Sequence, residues 1–202
     1  MLGSAFLHCN AVGFQAGVAH CKITRHGAKV GTIDYRKQLR SDGSVEMTYN
    51  FALSATKSIY TVVEDKDRTG TPIKADITMK FAKNNIVYSA IFGKSNFQIS
   101  AQGRSNTVPY PAGTVRQQPS AFWFIRDHPQ VGTTAKYSRL DYSSMKWVKE
   151  RAVFLGNATV GYHGKSVACH KIAVNEATLW LDDQGLPYKS VSTTTGEVIE
   201  RL

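Results

Sequence analysis

Two runs of alternating side chains restrict this chain to antiparallel sheet more than any other feature. In SVEMTYNFAL (44–53), Val45, Met47, Tyr49, Phe51 and Leu53 fall on one side, and Glu46, Thr48 and Asn50 on the other. In IKADITMKF (73–81), Ile73, Ala75, Ile77, Met79 and Phe81 alternate against Lys74, Asp76, Thr78 and Lys80. A period of two is the geometry of a strand with one face buried. No comparable helical stripe follows residue 20. Turn-forming stretches separate the strand-like runs at short intervals: HGAK at 26–29, SDGS at 41–44, KNN at 83–85, HGK at 163–165 and DDQG at 182–185. Such spacing predicts hairpins in sequence order, because parallel pairing needs long crossovers. The expected fold is therefore all-β: a curved antiparallel meander of about eleven strands closed into a half-barrel or barrel.

One segment breaks the rhythm. Residues 102–135 hold four of the six prolines. Proline lacks the ladder donor, so central sheet is excluded there. The same segment carries the apolar knot AFWFI at 121–125, with Phe122, Trp123 and Phe124. A long connection with its own apolar anchor reads as a lid, or as a plug that fills the core from the loop side. Residues 1–20 form an apolar, small-residue-rich segment, either a leader with a cleavage site after Ala19 or a short helix. It lacks the basic start of a secretory signal. The remainder, 21–202, reads as a single β domain.

At 42% hydrophobic residues the chain can fill a core without staples. Its 25 Lys and Arg against 15 Asp and Glu give a formal charge of +10, which favours anionic partners. The charge is uneven. No carboxylate occurs from Ile77 to Arg126, where Lys80, Lys83, Lys94, Arg104, Arg116 and Arg126 fall. The plain reading is a solvated basic face. Nucleic acid is disfavoured, because its readers interleave aromatics with Lys and Arg on one face. Here the aromatics share faces with aliphatic residues, which predicts an oily interior and a charged exterior.

No catalytic constellation emerges. Asp182 and Asp183, beside Trp180, look like paired carboxylates. Asp-Asp-Gln-Gly, however, fits a type I turn followed by a left-handed glycine, and a turn tip is expected to face solvent. Trp180 is expected on the strand face opposite Leu179 and Leu181. Cys9, Cys21 and Cys169 each adjoin a histidine, but strand neighbours point to opposite faces and do not clasp one metal. Cys169 reads as structural. A Cys9–Cys21 disulfide is compatible with the sequence, which does not fix the pairing. Gly93-Lys94-Ser95 and Gly164-Lys165-Ser166 lack the first glycine of a phosphate loop. The residues imply neither cofactor nor metal, and no segment is apolar enough over its length to cross a membrane.

CKITRHGAKVGTIDYRKQLRSDGSVEMTYNFAL resembles the opening of uncharacterised bacterial envelope domains, and YHGKSVACHKIAV with LWLDDQGLPYKSV resembles their close. The broader resemblance is to lipoprotein-carrier half-barrels of the LolA type. It implies a hydrophobic cavity within about eleven strands and a periplasmic or secreted location, with the cytoplasm as the alternative. The expected function is non-catalytic binding of an apolar or lipid-like molecule. Met47, Tyr49, Phe51, Ile77, Met79 and Phe81 would supply the concave face, with Phe122, Trp123 and Phe124 as lid. The basic exterior would dock on an anionic envelope surface. The alternative is a scaffold with a filled core that pairs with a protein partner.

Overall fold

The computed structural model describes residues 17–67, 70–81, 84–115, 124, 127–142 and 144–202. Among these residues, fourteen strands form one antiparallel sheet. They are β1 (Gly17–Arg25), β2 (Ala28–Leu39), β3 (Val45–Leu53), β4 (Ser58–Lys66), β5 (Pro72–Lys80), β6 (Asn85–Phe92), β7 (Asn96–Ala101), β8 (Arg104–Pro109), β9 (Thr134–Asp141), β10 (Lys146–Tyr162), β11 (Lys165–Val174), β12 (Ala177–Leu181), β13 (Pro187–Ser192) and β14 (Glu197–Arg201). Strand order is β8 through β1, then β14 back to β9. Two meanders thus join at a central β1–β14 seam, where Cys21 faces Arg201 and Ile23 faces Ile199.

The all-β meander agrees with the alternation, but the strand number exceeds eleven. The surplus comes from short strands such as β12, β13 and β14, of five, six and five residues. Strand β1 begins at Gly17, so the β domain takes in residues 17–20, and a cut after Ala19 would sever a central strand. The long connection also shrinks. Its first part is β8, an exposed edge strand ending at Pro109. Such a strand tolerates proline where a central one does not. Cys9, Phe122 and Trp123 lie outside the described residues.

The sheet curls without closing. Strands β8 and β9 are its two edges, and no ladder joins them among the described residues. The backbone N–H of Ser138 in β9 donates to the Val115 carbonyl at 2.9 Å, beyond the end of β8. Side chains complete the approach. Trp147 of β10 packs edge-on against Phe92, Phe97 and Tyr110, with ring centroids 6.3, 5.3 and 5.4 Å away. Edge-to-face geometry suits the ring quadrupoles.

Two apolar clusters result. One unites the seam residues Ala19, Cys21 and Ile23 with Ile33, Val45, Met47, Phe154, Ile172 and Leu186. The other holds Val62, Ala75, Ile77, Ala90, Phe92, Phe97 and Leu140. Ile73 departs from its alternating run and is 43% exposed. The register slips between Asp65 and Lys66, pairing Lys66 with Pro72, so that Ile73 becomes the unpaired bulge residue.

Candidate functional site

A cavity of about 730 Å³ opens between the β3–β5 wing and the β9–β10 wing. Alternation builds its first wall. Tyr49, Phe51 and Leu53 come from β3, Tyr60 and Val62 from β4, and Met79 and Phe81 from β5 and the residue after it. Phe51 and Tyr60 touch at 5.8 Å between centroids. Toward the mouth the wall is oily and open: Leu53, Ile59 and Phe81 are 38%, 48% and 45% exposed.

The far wall is polar, contrary to the expectation that charge stays outside. Glu64 and Lys66 continue the inward face of β4, and each is only 5% exposed. Their ion pair spans 3.1 Å. The second Glu64 oxygen accepts the Tyr142 hydroxyl at 2.5 Å. Across the gap, Arg139 Nε donates to Glu150 at 2.9 Å. Burial raises the Tyr142 pKa, and Glu64 raises it further. Burial opposes the Arg139 charge, but Glu150, with Asp141 and Tyr137, more than offsets it, so the guanidinium is held more firmly protonated than usual. Glu64 and Lys66 are buried and Glu150 is nearly so, while Arg139 is 41% exposed; buried ions survive only when paired in this way. Their sequence signal is faint. In SIYTVVEDK the inward Glu64 and Lys66 alternate with an outward Asp65, so the stretch reads as a uniformly solvated strand end.

Of the residues expected on the concave face, Tyr49, Phe51, Met79 and Phe81 line the cavity. Met47 and Ile77 share their strand faces but lie deeper, at 2% and 0% exposure, as packed core. Phe124 does not cover this cavity. It stacks on Phe154, with rings 6.5 Å apart and 3° from parallel, and meets His170 at 4.9 Å. It belongs to the seam cluster and plugs the core.

The adjacent aspartates form a turn, though not with both carboxylates in solvent. Asp183 is 94% exposed and meets His170 Nε2 at 2.9 Å. Asp182 is 14% exposed. One of its oxygens accepts the N–H groups of Gln184 and Leu186 at 2.9 and 2.8 Å, and the other accepts from Arg201 at 2.8 Å. The turn folds back over the start of β1 and buries Leu186. Its Gln184 carbonyl takes Lys37 Nζ at 2.6 Å. Trp180 lies instead under Lys171, 5.3 Å from the ring centroid.

Both described cysteines are buried and free. Burial pushes the Cys21 thiol up to about 11 and raises that of Cys169, so both stay protonated at neutral pH and are poor nucleophiles. Cys169 Sγ donates to the Ala158 carbonyl at 3.4 Å, while His170 turns to the opposite face. Among the described residues, no three His, Cys, Asp or Glu side chains converge as a metal site. Nor is any described helix long and apolar enough to cross a membrane.

No family model matches the chain, and no curated protein does. Among solved structures, the chain resembles a β-barrel-like protein of domain of unknown function DUF1849 from Brucella abortus. The TM-score is 0.62 at 10% identity, over 94% of this chain and 97% of that one. A DUF1089 family protein from Pseudomonas aeruginosa aligns at TM-score 0.44 and 14% identity, over 77% and 86%. The first likeness establishes a β-barrel-like fold and nothing about activity.

Proposed function

We propose that the protein binds an apolar or lipid-like molecule in the cavity between its wings, without performing chemistry on it. The carrying observation is the cavity itself. Its volume of about 730 Å³ lies within the span of small-molecule pockets, roughly 300–1,000 Å³. Aromatic and thioether side chains line one wall, as expected for a site that removes an apolar body from water. A scaffold with a filled interior would lack this space. Exposed Lys80, Lys94 and Arg104 on the outer surface suit an anionic envelope surface as a docking partner, in a periplasmic or secreted setting.

The test is direct. Purified protein is extracted with organic solvent for mass spectrometry, and a fluorescent fatty-acid probe is titrated into delipidated protein. Copurifying lipid or saturable probe binding is expected. Met79→Trp, which places an indole in the cavity, should weaken probe binding at least tenfold while the thermal transition stays cooperative. Absence of both lipid and probe binding would refute the proposal.

A further inference from the structure

Hydrogen-bond capacity in the cavity is lopsided. Its acceptors are engaged: Glu64 takes Lys66 and Tyr142, and Glu150 takes Arg139. Asp141 accepts the Ser144 hydroxyl at 2.6 Å and stands opposite Lys146 on the β9–β10 ladder. Its donors are not. Nε to Glu150 is the only hydrogen bond of the Arg139 guanidinium among the described residues, which leaves the terminal nitrogens. Neither the Tyr49 nor the Tyr60 hydroxyl has a partner there, although both residues line the same space as Arg139. Burial raises the pKa of both phenols; Glu64 raises that of Tyr49 further, Tyr88 and Asp141 raise that of Tyr60, and the Arg139 charge pulls both down by less. A guanidinium edge with two phenols presents several donors to one small acceptor-rich group.

We propose that Arg139, Tyr49 and Tyr60 receive the oxyanion head of a single-chain amphiphile, whose tail runs along Phe51 and Met79 toward the open mouth. This assignment rests on the cavity being a lipid-like site and adds the chemistry of the head and its direction. The head sits beside Arg139, whose side chain is 41% exposed, in a partly solvated part of the cavity. The tail points to the rim formed by Leu53 and Phe81. A carboxylate and a phosphate monoester share the required chemistry. A cationic head would meet the same three donors, while Glu64, Asp141 and Glu150 already hold partners.

The experiment compares laurate, dodecyl phosphate, dodecanol and dodecylamine by displacement of a fluorescent probe at pH 8. One or both anions should bind at least tenfold more tightly than dodecanol, and their ratio identifies carboxylate or phosphate as the better head. Tyr49→Phe and Tyr60→Phe, which keep ring shape, should each weaken anion binding about three- to tenfold and leave dodecanol unchanged. Arg139→Met combined with Glu150→Gln, which avoids a stranded carboxylate, should abolish the preference for anions. Dodecylamine binding as tightly as laurate would overturn the assignment, as would phenylalanine variants that bind laurate like the wild type. Both outcomes leave the apolar site standing. Failure of all four ligands would remove the apolar site and this assignment together.

Discussion

Among the described residues, Lys37 is the most heavily buried charged side chain, at 1% exposure, and it sits on the inward face of β2. Burial depresses its pKa from 10.5 to about 8, against a smaller upward pull from Asp182. Below about 8 both folded and unfolded chains carry the proton, so the fold bears the full desolvation cost. Between about 8 and 10.5 the folded chain has released the proton and the unfolded chain has not. Stability due to this group therefore rises with pH, by on the order of 3 kcal/mol in total. Cys21, raised to about 11, acts in the opposite sense, since the unfolded thiol ionises first. Denaturation of wild type and Lys37→Met across this window separates the two, because the Cys21 contribution is common to both. The stability difference should move steadily in favour of the wild type as pH rises, and a flat difference would show that Lys37 stays charged. None of this is legible in RKQLR, where Lys37 looks like any solvated lysine. Its burial follows from the 182–186 turn folding over the sheet end, a contact between residues far apart in sequence.

At the scale of strands, faces were readable wherever alternation was clean. β3 and, Ile73 apart, β5 present the expected residues inward, and the turns at 26–27, 41–44, 163–164 and 182–185 fall where glycine and aspartate mark them. Legibility fails at irregularities. In β10 the pairing with β11 slips between Phe154 and Gly156. Leu155 turns outward at 40% exposure, and Gly156 adopts φ of 97°. A Cβ there would lie 3.0 Å from Val131 Cγ2 in addition to the backbone strain. Gly156→Ala should therefore cost about 1–3 kcal/mol in chemical denaturation, whereas Gly161→Ala, on the same strand with open space around it, should cost less. Equal losses would mean that the bulge relaxes freely. The polar cavity wall escaped the pattern for a related reason. A period of two assigns polar residues to the outside, and Glu64, Lys66, Arg139 and Glu150 are drawn inward by one another.

Over the whole molecule, the two wings meet through side chains rather than through a ladder. Tyr142 donates to Glu64, and Tyr88 donates to the Tyr142 carbonyl at 3.0 Å. Replacing both tyrosines by phenylalanine should lower stability by about 2–4 kcal/mol in sum. It should also speed amide exchange in β9 and the first half of β10 more than in β1–β3, and uniform acceleration would argue against separable wings. A sealed barrel has a girth set by strand number and stagger, and it cannot swell without breaking main-chain bonds. An unsealed curl has no such hoop. Its two flanks can spread by trading a few phenol contacts for solvent, so guests of unequal bulk can be housed at little cost to the sheet itself.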